Sequence, residues 1–118
     1  MGDDLRRARA LLDEALDLSV AARNTAGVAL CLAAFAHLTF VQGDRDRAAL
    51  LAGAAEGLRR RAGLRVWPTL RHAEAELVAQ LRQTLGAERF DQAFSAGSGL
   101  SQREAVTAAR SLYSTRAS

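Results

Sequence analysis

The chain has 118 residues and a formal net charge of +3, with 49% hydrophobic and 25% charged residues. A chain of this length can bury a core of its own, and this composition excludes a wholly disordered protein. Twenty-six residues are Ala, 18 are Leu, one is Pro and none is Ile, which favours helices over strands. We therefore predict an all-α fold, an antiparallel array of five to six helices in a single domain over residues 1–118.

The first three predicted helices are separated by short polar breaks. The first runs from about residue 5 to 23, the second from 26 to 42 and the third from 45 to 62. The second is apolar nearly all round, so we expect it to be the central, most buried element. Gly43 ends the second helix, and Gly63 follows a basic last turn in the third, a typical helix stop.

The second half of the chain predicts three more helices. Pro68 or Thr69 starts the fourth, which Gly86 ends, and a short fifth helix covers about 87–96. Residues 97–99, Gly-Ser-Gly, are predicted to be the most flexible connection. Ser101 and Glu104 have the spacing of a capping box that opens a last helix to about Tyr113, and the tail over 114–118 is expected to fray.

The chain repeats itself at a spacing of 40 residues, where six positions of residues 4–18 recur in 44–58. The segment 29–62 resembles a tetratricopeptide unit, with Gly43-Asp44 in its turn and Ala36, Ala48 and Ala55 at its small positions. Arg45 stands where that unit has an aromatic residue, and no Pro closes the segment. The resemblance implies a tetratricopeptide-like solenoid fragment, with a repeat part over 1–63 and capping helices over 64–118.

A second resemblance rests on three runs in order: residues 50–59, the helix led by Pro68 with residues 85–90 behind it, and Gly97 with residues 100–106. This order is similar to the C-terminal helical-repeat region of large bacterial signal-transduction ATPases, with actinobacteria as the expected source. In that family an ATPase domain precedes the repeats and a LuxR-type helix-turn-helix often follows them. The resemblance implies a sensor, scaffold or partner-binding region of a transcription regulator.

Neither flanking activity is expected from this chain itself. The sequence has no G-x-x-x-x-G-K-[ST] motif, so we predict no P-loop nucleotide site. Residues 100–106 resemble the start of a LuxR-type DNA-binding domain, but the 12 residues that follow are too few for a recognition helix. We interpret this run as a closing helix.

Isolated histidine, glutamate and cysteine residues, which could in principle act in catalysis or metal binding, are better explained by structural roles. His37 could be a buried base or pH switch, but a partly buried packing residue is the simpler interpretation. His72 and Glu76 are four residues apart, yet two ligands do not make a metal site. Cys31, the only cysteine, excludes an internal disulfide and is interpreted as an inert core residue. We see no catalytic set, and we expect neither enzymatic activity nor a cofactor.

The surface feature that stands out is residues 59–71, which we call the Arg/Trp segment. Residues 45–71 carry seven Arg against two acidic residues, a net charge of +5. The candidate partner-binding residues of the segment are Arg59, Arg60, Arg61, Arg65, Trp67 and Arg71. They could dock an acidic partner or a neighbouring domain, or bind nucleic acid through phosphate contacts and base stacking. Alternatively, the arginines match the helix dipole and Trp67 closes the edge of the core.

These observations favour a non-catalytic interaction or sensor module whose partner is another protein or another domain of the same polypeptide. An exposed N-terminal half-repeat could also pair with a second copy to form a homodimer. One alternative is a small nucleic-acid-binding protein that uses residues 59–71, although the chain has no second basic stripe. Another is a small-molecule sensor with a pocket near Cys31, Phe35 and His37. We expect a cytoplasmic location and no membrane interaction, because the apolar run over 28–41 is too short to span a bilayer and no signal peptide is present.

Overall fold

Six α-helices joined by short turns make up the part of the chain that the structure describes. The computed structural model describes the backbone of residues 2–117 and the side chains of residues 3–110. Over that backbone there is no strand, so the fold is all-α, as predicted. The helices are α1 (Gly2–Ala21), α2 (Thr25–Val41), α3 (Arg45–Ala62), α4 (Pro68–Leu85), α5 (Ala87–Ser98) and α6 (Gln102–Ala117).

The helix ends that local chemistry predicts are present. Asn24 precedes α2, and its side-chain oxygen accepts a hydrogen bond from the Gly27 amide at 3.0 Å. Gly63 ends α3 in the left-handed conformation at φ 70°, which a side chain would disfavour. The capping box is confirmed, because the Ser101 amide donates to Glu104 at 2.9 Å and the Glu104 amide donates to Ser101 at 3.1 Å. Fraying is predicted for 114–118, but the backbone of α6 continues past its predicted end near Tyr113 to Ala117. The side chains of 111–118, and residue 118 itself, lie outside the described part of the chain.

The prediction of a flexible connection over residues 97–99 is wrong for residues 97 and 98. Helix α5 does not stop at residue 96 but continues to Ser98, and Gly97 is buried. A Cβ added to Gly97 would lie 2.8 Å from the carbonyl carbon of Leu50 and 3.0 Å from the amide nitrogen of Ala54. Gly97 is therefore a point of close contact with α3, and this packing holds it in the helix.

Helices α3 and α5 run parallel to each other in direct backbone contact. Arg89, near the start of α5, pairs with Asp46 near the start of α3, while Arg61 at the end of α3 reaches the Ser98 carbonyl. Between these ends, added Cβ atoms on Gly53 and Gly57 would collide with the backbone of α5 at Phe94 and Ser98. Three glycines thus form the contact, which we call the glycine seam (Gly53, Gly57, Gly97).

The prediction that α2 is the central helix is wrong. The most extensive pairings of α3 are with α2 on one side and α5 on the other, and α3 also packs on α4 and α6. Helix α2 buries much of its surface, but Leu30, His37 and Val41 remain exposed on it. A helix that is apolar all round therefore has a face that no other described residue covers.

One hydrophobic cluster joins all six helices. Each helix contributes at least one buried apolar residue to it, and the Cα radius of gyration is 13.3 Å, as expected for a single compact unit of this length. Its largest fully buried side chains are Leu16, Val28, Leu32, Phe35, Leu51, Leu81 and Phe90.

Candidate partner-binding groove

An open groove separates α2 from α4. It consists of two adjoining clefts of about 300 Å³ and about 330 Å³. Both clefts are lined by Leu30 of α2 and by Leu70 and Glu74 of α4, so they form one continuous depression. We call it the α2–α4 groove.

The first cleft lies at the start of both helices. Its wall includes the connection between α3 and α4, residues 64–67, and its floor includes Arg59. Trp67 is 72% exposed and Leu30 is 49% exposed, so two large apolar side chains face solvent at this end. The remaining apolar lining residues of this cleft are Ala26, Gly27, Leu64, Val66 and Leu70.

The second cleft continues along the middle of α2 and α4. Ala33 and Ala34 supply its α2 wall together with His37, and Ala73 and Leu77 lie opposite on α4. Alanine side chains leave space between the helix backbones that longer side chains would fill. The groove is therefore wide, and most of its lining is apolar.

An ion pair between the buried Arg59 and the partly exposed Glu74 forms the floor where the two clefts meet. The Arg59 guanidinium donates to Glu74 at 2.7 Å and 3.4 Å, and to Glu56 of its own helix at 3.4 Å. Arg59 is 8% exposed, and its Nε atom has no hydrogen-bond partner. This pair joins α3 to α4, because a guanidinium bound to two carboxylates fixes both helices relative to each other.

The structure separates the six candidate residues of the Arg/Trp segment. Arg59 lies in the floor of the groove but is buried and already paired with Glu74 and Glu56, whereas Arg65 and Trp67 line the groove and are exposed. Arg61 donates to the carbonyls of Ser98 at 2.7 Å and Leu100 at 2.6 Å, which satisfies backbone groups at the end of α5. The two that remain are exposed and have no ion-pair partner among residues 3–110: Arg60 and Arg71.

The alternative that Trp67 closes the edge of the core is wrong. The cluster of buried apolar residues does not include it, and nearly three-quarters of its surface faces solvent at 72% exposure. Trp67 immediately precedes Pro68, whose ring starts α4. The indole therefore stands on a short connection beside the groove, where an incoming ligand can reach it.

The residues suggested for a small-molecule pocket do not line one cavity. Phe35 is in the core, and Cys31 is buried, whereas His37 is exposed in the groove. Burial raises the pKa of the Cys31 thiol, and a hydrogen bond with the Ser19 side chain acts in the opposite direction. Because burial is the larger effect, the pKa of the thiol is raised, which agrees with an unreactive core cysteine.

Potential metal ligands are scattered. His72 lies 3.5 Å from Glu76 on the exposed side of α4, while Glu74 points to Arg59. Within residues 3–110, no group of three or more His, Cys, Asp or Glu side chains could hold a metal ion. In the same part of the chain, none of the helices combines the length and apolar character that crossing a bilayer requires.

Sequence reasoning missed most of the groove. Leu70 and Leu77 fit the apolar stripe of α4, and Leu30 belongs to the apolar helix α2, so their spacing alone indicates core residues and not a groove. One signal is present in α2: a helix without a polar face has apolar residues on every side, so any side that its neighbours leave uncovered is apolar. Such a side is a candidate binding surface, although the pattern does not identify its residues.

Comparisons of the chain with protein-family models, with curated proteins and with solved structures find no significant match.

Proposed function

We propose that this chain is a non-catalytic interaction module that binds a segment of a partner protein in the α2–α4 groove. The observation that carries the proposal is the exposed indole of Trp67 at the head of an open, mostly apolar groove. Large apolar side chains facing solvent around a concavity are typical of binding sites. Trp is also the residue type that most often dominates the energy of a protein interface.

The wider context of the proposal is a bacterial transcription regulator of the LuxR-type ATPase class, acting in the cytoplasm. The arrangement of the helices supports a tetratricopeptide-like array, because α2 lies alongside α4 and α3 runs parallel to α5. In such an array, alternate helices line one continuous surface on which a partner segment can lie. The module would then transmit the presence of a partner to other domains.

The size of the native polypeptide tests this context. An antibody raised against the chain and used on extracts of the source cells should detect a band many times larger than 12.6 kDa. A band at 12.6 kDa would remove the regulator context and leave a free-standing helical adaptor.

A photo-crosslinking amino acid placed in the groove tests the binding function directly. Leu30 is the best position, since it lines both clefts and is half exposed. Val41 at the end of the same helix is the matched control, because it is 57% exposed and lines neither cleft. In the source cells we expect a discrete crosslinked protein from position 30 and none from position 41. Equal labelling from both positions would contradict a partner-binding groove.

Self-association has a separate structural basis on α1. Leu11 and Leu18 are 61% and 64% exposed and lie two helical turns apart on the same face. Two leucines are a small surface for a stable dimer. Light scattering over a concentration series distinguishes the cases, and a constant monomer mass would remove the homodimer.

A further inference from the structure

We propose that the groove selects an acidic segment of a separate protein, with an apolar side chain seated against Trp67 and Leu30 and carboxylates facing Arg65. This inference rests on the proposed function, since it specifies the chemistry of the partner for the same groove. It follows from the distribution of paired and unpaired charges around the groove and from its dimensions.

The groove has an uncompensated positive charge at the Trp67 end. Two arginines and one carboxylate line the first cleft, but Arg59 is already neutralised by Glu74 and Glu56. Arg65 is therefore the lining charge that has no ion-pair partner among residues 3–110. Arg60 and Arg71, next in sequence to lining residues, are exposed and equally unpaired.

Three arginines elsewhere on the surface have carboxylate partners, whereas others, such as Arg45 and Arg103, are exposed and have no ion-pair partner among residues 3–110. Arg89 binds Asp46 at 2.7 Å, Arg82 lies 3.6 Å from Asp91, and Arg110 pairs with Asp17. On α4 itself, the exposed Glu76 faces His72 at 3.5 Å. Carboxylates of a ligand would thus find the unpaired guanidinium of Arg65 in the groove, where complementary charge both attracts and orients the ligand.

The dimensions fit a short segment. Residues 26–37 of α2 form the wall of both clefts, and at a rise of about 1.5 Å per residue this wall is about 17 Å long. An extended chain covers that length with about five residues. Two clefts of about 300 Å³ each have room for several apolar side chains. A segment of about five residues, with one or two apolar anchors between acidic residues, matches these limits.

The same surface is a poor match for nucleic acid. Arg59 is buried, and Arg61 donates to backbone carbonyls. Three exposed arginines of the segment are therefore left to contact phosphates. Sequence-independent binding of nucleic acid needs several phosphate contacts along a basic track with stacking platforms. Here one aromatic ring stands at the end of walls made of Ala and Leu.

Selection from a random twelve-residue peptide display library, with the full chain as bait, tests the inference without knowledge of the partner. We expect the enriched peptides to carry a net negative charge and at least one large apolar residue. Synthetic copies of the enriched peptides should shift the fluorescence of Trp67 to shorter wavelength. Because Trp67 is the only Trp in the chain, this signal reports on the groove alone.

Charge variants then identify the recognition group. Arg65→Glu should weaken the binding of an enriched peptide about tenfold or more, and Arg65→Gln by a smaller factor. Arg103→Glu is the matched control, because Arg103 is exposed on α6 and does not line the groove; it should change Kd less than about twofold. Trp67→Ala, followed with a labelled peptide, should cost about thirtyfold.

Three results would overturn the inference. The enriched peptides could be neutral or basic on average, Arg65→Glu could bind them as well as the unaltered chain, or a single-stranded oligonucleotide could displace them at physiological salt. If position 30 still crosslinks a partner while the peptides are neutral, the groove function stands and only its acidic preference fails. If position 30 crosslinks nothing and no peptide is enriched, the proposed function fails with it.

Discussion

Three consecutive arginines at the end of α3 have three different environments. Arg59 is buried against Glu74, Arg60 faces solvent, and Arg61 binds backbone carbonyls of another part of the chain. Successive residues of a helix point about 100° apart, so neighbours in sequence meet different surroundings. The basic last turn could be predicted from sequence, but the fate of each guanidinium depends on which helix packs beside it.

The Arg59–Glu74 pair should matter to stability because one partner is buried. Breaking a fully buried pair costs about 3–5 kcal/mol, but the Glu74 side chain is 26% exposed and Glu56 remains close to Arg59. We therefore expect Glu74→Gln to lower the free energy of unfolding by about 2 kcal/mol in chemical denaturation. Glu76→Gln, which affects an exposed pair on the same helix, should cost less than about 0.5 kcal/mol. Equal effects of the two variants would contradict a structural role for the floor.

The buried thiol gives a prediction for alkaline pH. Because burial raises the pKa of Cys31 above its ordinary value of 9.0, the unfolded chain loses this proton first as the pH rises. The stability of the folded chain relative to Cys31→Ala should therefore be fully present below pH 9.0 and decline above it. Denaturation of both proteins over a pH series measures this difference. A difference that stays constant or grows through this range would contradict the buried, neutral thiol.

At the scale of elements, the glycine seam joins α3 to α5 without side chains between them. Gly57→Ala gains about 1 kcal/mol of helix propensity, but its Cβ would collide with the α5 backbone at Ser98. Because a backbone cannot move aside as a flexible side chain can, the collision should dominate, and we expect a net loss of about 3 kcal/mol.

Gly99→Ala is the matched control for this substitution. Gly99 has an ordinary φ of −87°, and its Cβ would meet nothing closer than 3.7 Å. Thermal unfolding should show Gly99→Ala within about 1 kcal/mol of the unaltered chain. A Gly57→Ala protein as stable as this control would show that the helices do not approach as closely as the structure indicates.

The elements that sequence predicted well are those fixed by local chemistry. Helix α3 has the predicted bounds, because Asp44 caps its start and Gly63 ends it in a conformation that glycine favours. The rule that glycine marks a helix end gives the wrong prediction at Gly97. Its close contact with Leu50 on α3 keeps it within α5, and the neighbouring sequence does not reveal that contact. The burial of Trp67 is predicted wrongly for a related reason. A large apolar residue is expected in the core, and the sequence does not reveal that the indole is left uncovered.

At the scale of the molecule, the repeat part predicted over residues 1–63 should not fold alone. Removing 64–118 exposes the face of α3 that packs on α5, including the glycine seam, and removes Glu74 from Arg59. We expect a 1–63 fragment to lose the cooperative thermal transition of the full chain in circular dichroism. A cooperative transition at an unchanged temperature would instead establish 1–63 as an independent unit.

The two helices that form the groove differ in how extensively they pack against the rest of the fold. Helix α2 is packed between α1 and α3, whereas α4 buries only Leu77 and Leu81 and is linked through residues 63–67 and through Gly86 at φ 87°. In amide hydrogen exchange, α4 should therefore open at a lower free energy than α3, which the seam holds. The width of the groove can therefore change as α4 moves. A bound ligand that draws α4 towards α2 would slow amide exchange in α4 and leave the exchange rates of α3 unchanged. Recognition by this chain would then register as a loss of motion in one helix, with no rearrangement of the core.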